Sequence, residues 1–286
     1  MRPVSIIGLR VGRVALRLLR AVAVVYCLVL LVLLYLETML VYPAPRYPQG
    51  DWEAKWLARE EVDFASADGT KLHGWYVEHP QPQAVILYCH GNGTSVAELA
   101  EFLAYMRDEF QVSIFAFDYR GYGRSAGKPA EKGILQDGDA AQKWLAERAG
   151  VNQQDVVLMG RSLGGGVALH LAAENGARGV ILQNTFTSLP DAAAHIYPFL
   201  PVRLLMRNRY DSLSRISRYS GPLLQSHGTA DRIVPFAHGR KLFAAAAGPK
   251  EFFEIDAGDH NDPEPALYVA TLHRFLDSLQ GNPHTP

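Results

Sequence analysis

The stretch Asp155-Val156-Val157-Leu158-Met159-Gly160-Arg161-Ser162-Leu163-Gly164-Gly165-Gly166 decides how this sequence is read. A short apolar run meets a serine set between two glycines, and a helical pattern follows at once. G-x-S-x-G between a strand and a helix predicts a sharp turn that pushes the serine Oγ into the open with a helix N-terminus behind it. A Cβ at Gly160 or Gly164 would collide with the neighbouring strand and helix. Gly165 and Gly166 each lower helix propensity by about 1 kcal/mol, which points to a steric reason for them. A glycine-rich turn capped by serine is the plainer alternative, and the strand-then-helix setting argues against it.

With Val156–Met159, apolar runs of the same kind recur along the chain, at Ala84–Cys89, Val112–Phe117, Gly179–Leu182, Pro222–Gln225 and Phe252–Ile255. Helix-period stretches separate them, at Ser95–Met106, Gly133–Arg148, Ser162–Glu174, Phe236–Ala246 and Pro263–Leu279. A hairpin precedes them, with Val62–Ala65 and Leu72–Val77 turning at Asp68-Gly69. Continuous apolar strands alternating with helices predict an α/β fold, a mostly parallel central sheet with helices on both faces. Ligands of such sheets bind beyond the carboxyl ends of the strands, so the loops there are the places to search.

A serine nucleophile needs a base, and the base needs an orienting group. After an elbow of this type the partners follow in the order Ser, Asp or Glu, His, each behind a later strand. Asp231 stands in the loop after Pro222–Gln225 and His260 in the loop after Phe252–Ile255. The candidate catalytic residues are therefore Ser162, Asp231 and His260. Asp231 also suits a plain helix cap, and Asp191 is its rival. His227 precedes Asp231 on the same loop, and His273 falls mid-helix among apolar residues; both read as structural. The oxyanion hole takes one N–H from Leu163, directly after the nucleophile, and one from the loop His90-Gly91-Asn92-Gly93, where Asn92 is the candidate. His90 precedes the nucleophile and reads as a brace for that loop.

The N-terminus carries a different message. Ala21 to Leu36 is sixteen residues without a charge, extended by Leu18 and Leu19 before it and Met39–Tyr42 after it. Arg2, Arg10, Arg13, Arg17 and Arg20 give residues 1–36 a charge of +5, leaving −6 for the rest of a chain whose total is −1. The pattern predicts a basic cytoplasmic N-terminus over 1–20 and a single-pass signal anchor over 21–42. Arg20 and Glu37 then lie near the two interfaces, with Tyr35 and Tyr42 in the aromatic belt. Everything after it falls on the far, extracytoplasmic or periplasmic side. A cleaved signal peptide is the rival, but Met39–Pro43 has no small-residue cleavage site. A buried core helix is the third reading. Pro43, Pro45 and Pro48 predict a stiff linker over 43–60 leading away from the membrane, and 61–280 is one domain.

Composition narrows the partners. With 48% hydrophobic residues, 20% charged and a near-neutral balance, neither disorder nor nucleic-acid binding is indicated. Cys27 and Cys89 sit far apart in apolar runs, which excludes a disulfide framework or a cysteine metal site. Gly121–Lys128 fails as a phosphate loop, since no register gives four residues between the glycines and Pro129 follows the lysine. No metal motif is present and no cofactor is expected.

Together, Phe117-Asp118-Tyr119-Arg120-Gly121-Tyr122-Gly123-Arg124-Ser125, Gly160–Gly165, Gly258-Asp259-His260-Asn261-Asp262 and His90-Gly91-Asn92 resemble the α/β-hydrolase superfamily over about residues 60–280. They are similar to a membrane-anchored, depalmitoylase-like branch of it. The resemblance implies an α/β-hydrolase fold and roles for Ser162, Asp231 and His260 as already reached. It implies a serine hydrolase acting on an acyl ester or thioester, of a small molecule or a lipid. An amidase or peptidase is the nearest alternative, and a catalytically silent binding module the other. Thr185-Phe186-Thr187-Ser188 and the stretch to Tyr210 also resemble this branch, so 186–212 is expected to form a small apolar cap, or else ordinary helix core.

Overall fold

The computed structural model describes residues 6–280, with side chains from residue 12 onward. Eight strands form one sheet: β1 (Glu60–Ala65), β2 (Lys71–Val77), β3 (Ala84–Cys89), β4 (Val112–Asp118), β5 (Val157–Arg161), β6 (Gly179–Gln183), β7 (Leu223–Gly228) and β8 (Lys250–Ile255). Their spatial order is β1-β2-β4-β3-β5-β6-β7-β8. β1 and β2 make the antiparallel hairpin, β2 joins β4 antiparallel, and every pairing from β4 to β8 is parallel. Because β3 pairs with β4 on one side and β5 on the other, the chain reverses direction across the sheet there, and a crevice opens at the carboxyl ends of β3 and β5.

Alternation along β3 divides the core in two. Leu87 and Cys89 join Phe115, Leu158 and Leu182 on one face, while Ile86 and Tyr88 join Ile114, Val157 and Ile181 on the other. The first face is covered by residues of α3 (Glu131–Ala149), α4 (Leu163–Asn175) and α8 (Phe236–Ala245), the second by α2 (Ala100–Phe110) and α9 (Ala266–Gln280). This is an α/β-hydrolase fold. The helix expected over Ser95–Met106 divides at Leu99, with a single 3-10 turn over Val96–Glu98 ahead of α2. Asp118 Oδ1 accepts from the Val96 N–H at 2.9 Å, which holds that turn against β4.

The helix α1 (Ile6–Val41) precedes the sheet, and its segment Gly12–Val41 is long and apolar enough to cross a membrane or to serve as a signal sequence. Its flank departs from expectation. Glu37, expected to snorkel at an interface, is buried against the chain 170 residues later, and Tyr42 is buried too. The proline-bearing segment after α1 does not lead away. Trp52, Ala54 and Leu57 are buried in the second core, and the backbone around Pro45 and Tyr47 pairs with Gly123. Trp52 anchors it, packed against the Trp75 and His73 rings with Tyr47 edge-on to its outer side.

The stretch after β6 forms α5 (Leu189–Ile196), α6 (Val202–Leu205) and α7 (Ser212–Ile216). The first two lie over the carboxyl end of the sheet, beside α1.

Candidate active site

Ser162 sits between β5 and α4 with φ 51° and ψ −115°, a conformation costly for a residue with a side chain. The surroundings enforce it. The Ser162 N–H donates to the Gln183 carbonyl at 2.9 Å, and its own carbonyl accepts from Thr185 Oγ1 at 2.7 Å. The flanking glycines are obligatory: a Cβ on Gly160 would lie 2.4 Å from the Gly164 carbonyl oxygen, and one on Gly164 1.9 Å from that of Cys89. β5, α4 and β3 thus approach one another at the elbow more closely than any other residue permits.

Two further loops converge on the serine. His260 Nε2 lies 3.1 Å from Ser162 Oγ, and His260 Nδ1 lies 2.7 Å from Asp231 Oδ2. Nδ1–H therefore donates to the carboxylate, leaving Nε2 free to accept from the serine hydroxyl. Asp231 Oδ1 accepts from the Ile233 and Val234 N–H groups at 2.9 and 2.7 Å. Burial by itself raises the Asp231 pKa. The hydrogen bonds from His227 and His260, the His260 charge and the Val234 N–H more than offset this and hold the carboxyl well below the usual range. Asp231 and His260 are each only 6% exposed, so their interaction is little screened.

The supporting residues were not evident in the sequence. The His260 carbonyl accepts from Arg161 Nη2 and from Asn184 Nδ2, both at 2.8 Å, which pins the histidine loop to the ends of β5 and β6. Asn184 also takes the Gly228 N–H, tying the histidine loop to the end of β7, which leads into the aspartate loop. His227, fully buried, donates from Nε2 to the Val234 carbonyl at 2.8 Å and stands 3.4 Å from Asp231 Oδ2, bracing the aspartate turn.

The remaining candidates separate cleanly. Asp191 lies in the first turn of α5, bonded to Ser188 and Arg203, away from His260. His273 faces Glu109 on the opposite side of the sheet. His90 is buried with its Nδ1 2.8 Å from the Gly91 carbonyl and its ring 4.2 Å from that of Tyr119; burial pushes its pKa down. Asn92 lines the same cavity as Ser162, Leu163 and His260. Its side chain binds the Val41 carbonyl and the Tyr122 hydroxyl, fixing the loop. Among the described residues neither the Asn92 nor the Leu163 N–H has an acceptor.

The cavity has a volume of about 820 Å³, in the range of sites that enclose a ligand of drug or acyl-chain size. Its walls are mainly apolar, from α1, α5, α6, Leu99, Ile233 and Val234.

Comparison with known proteins agrees with this architecture. The family model Hydrolase_4, serine aminopeptidase S33, matches residues 80–213. An uncharacterized protein of Mycobacterium tuberculosis is 37% identical over 224 residues, covering 77% of this chain and 79% of that one. The alpha/beta hydrolase domain-containing protein WAV2 of Arabidopsis thaliana is 31% identical over 244 residues, 77% and 79% of the two chains. Among solved structures, the esterase Pf2001 of Pyrococcus furiosus superimposes with a TM-score of 0.71 at 20% identity, over 83% of this chain and 97% of that one. An acetyl xylan esterase from Paenibacillus sp. R4 gives 0.63 at 21% identity, over 81% and 85%. With its sheet order, its elbow and relatives above 30% identity along most of their length, the chain belongs to the α/β-hydrolase superfamily.

Proposed function

We propose that this protein is a membrane-anchored serine hydrolase that cleaves carboxylic ester or thioester bonds of acyl substrates. The observation that carries the reading is the continuous relay from Ser162 Oγ through His260 to Asp231, at 3.1 and 2.7 Å. Ser162 attacks the acyl carbonyl as its proton passes to His260 Nε2. The imidazolium so formed is stabilised by Asp231 and returns the proton to the departing alcohol or thiol. The negative oxygen of the tetrahedral intermediate is received by the Leu163 and Asn92 N–H groups. Water, activated by His260, then attacks the acyl-enzyme and frees the acid. No step in this scheme calls on a cofactor.

The esterases among its structural neighbours support an ester substrate, and the apolar cavity supports an acyl chain, as in the depalmitoylase-like branch. In this reading residues 1–20 are the basic cytoplasmic end, 21–42 the anchor, 43–60 the connecting segment, 61–280 the hydrolase domain and 186–212 its cap. The S33 family match favours a second reading, an aminopeptidase or amidase with the same triad.

A fluorophosphonate probe on the wild type and on Ser162→Ala tests the central claim. Labelling lost in the variant supports an activated serine at this position. A folded wild type that stays unlabelled with and without detergent sinks the hydrolase and leaves a silent binding module. Esters and amides of p-nitrophenol and p-nitroaniline, taken through rising chain lengths, then separate the esterase from the amidase.

A further inference from the structure

α1 is more than a tether in this molecule. Leu30, Leu33, Leu34, Leu40 and Val41 line the cavity that contains Ser162, while Leu31, Val32, Tyr35 and Met39, on the other side of the same helix, face outward. The helix is locked in this orientation. Glu37 is 6% exposed and accepts from the Arg207 and Asn208 N–H groups at 2.9 and 3.0 Å, from Asn208 Nδ2 at 2.8 Å and from Arg207 Nε at 3.2 Å. Tyr42 donates to Asn208 Oδ1 at 2.8 Å. A carboxylate with four donors at this site fixes both the rotation and the height of α1 against the cap.

The height matters. Tyr26 donates its hydroxyl to the Phe199 carbonyl at 2.8 Å. From Glu37 to Tyr26 is eleven residues, about 16 Å along the helix. The tip of the cap therefore lies beside the middle of the uncharged run Ala21–Leu36, at a level where a spanning helix meets lipid tails. The side chains that this tip presents outward fit that surrounding: Phe199 is 89% exposed and Leu204 81%, with Ile196 and Tyr197 about half exposed. Apolar groups grouped in this way next to an apolar helix mark a membrane contact.

We propose that the last three turns of α1 form one wall of the acyl-chain site, and that the chain reaches Ser162 sideways from the lipid leaflet between α1 and the cap. The occupant is a single acyl chain of a membrane-resident ester or thioester. The inference rests on the hydrolase reading and adds to it where the substrate comes from and which segment receives it. Recognition of the chain then belongs to the anchor itself, so an isolated domain beginning after residue 42 lacks one wall of its site.

The test uses the full chain in phosphatidylcholine nanodiscs and a fluorophosphonate with a twelve-carbon chain ending in a diazirine. After attachment to Ser162 and irradiation, the expected cross-links fall within residues 30–41. Labelling of Ser162 with cross-links confined to the opposite wall, at Leu99 or Ile233, overturns this inference alone. Failure to label Ser162 overturns the hydrolase reading, and this inference with it. A kinetic arm is independent of the probe. Leu33→Trp with Leu34→Trp is expected to lower the kcat/KM ratio of hexadecanoyl to butanoyl ester at least tenfold, whereas Val32→Trp, on the outward face, leaves the ratio as in the wild type. Equal ratios in all three proteins overturn the proposal.

Discussion

Gly164 shows how a single residue is dictated by chemistry several elements away. Its Cα approaches the end of β3 because the loop after β3 must bring Gly91 and Asn92 beside the serine. The G-x-S-x-G spacing was readable because both glycines lie two residues from the serine and only glycine fits where a Cβ would strike backbone. Glu264, by contrast, carried no signal in the sequence. One carboxylate oxygen accepts from Gln183 Nε2 at 2.9 Å and the other is buried without a partner. Burial pushes its pKa up to about 7, and the nearby Arg161 charge and the Gln183 hydrogen bond offset this only in part. Between about pH 4.5 and 7 the folded protein therefore holds a proton that the unfolded chain has released, so stability falls as pH rises through that window. Glu264→Gln removes the titration. It is expected to change stability at pH 5 by less than about 1 kcal/mol and to raise it at pH 8 by on the order of 3 kcal/mol. Tm in a mild detergent from pH 5 to 8 checks this; a slope equal in variant and wild type refutes it.

At the scale of elements, the joint between α1 and the cap turns on one carboxylate, which serves both backbone and side chain of Asn208. Glu37→Ala leaves the Arg207 and Asn208 N–H groups without an acceptor in a buried place, at a cost of about 1–3 kcal/mol. The expected result is a Tm lower by several degrees and new proteolytic cleavage within residues 197–207, with the far strands β1 and β2 as protected as before. Uniform loss of protection across the sheet would instead make Glu37 part of the general core. No sequence pattern announced this joint. Glu37 and Asn208 are 171 positions apart, and an acid at the end of an apolar helix reads as an interfacial residue. The central strands β3 to β6 were legible because each is a largely apolar run closed by a glycine or a polar loop, and the order of the candidate triad follows from the strand order. The packing of residues 43–59 on the domain was not, because prolines report stiffness and say nothing of where a stiff segment docks.

For the whole molecule, charge and architecture together bear on orientation. All five positive charges of residues 1–36 precede the uncharged run, and the domain after it carries −6. On the proposed anchor reading, positive-inside bias keeps the N-terminus in the cytoplasm and carries the domain across. In that reading the domain stays close to the membrane, because the tip of the cap lies beside Tyr26 and the segment after α1 is packed on the domain. An epitope tag after Pro286 is therefore expected to be protected from added protease in sealed inside-out vesicles and digested in right-side-out ones, with detergent abolishing the difference. The reverse pattern would place the domain in the cytoplasm and make the arginine cluster an interfacial feature of the same face. Either orientation preserves the geometry between α1, the cap and Ser162, so under the proposed lateral entry the experiment decides which leaflet would supply the acyl chain.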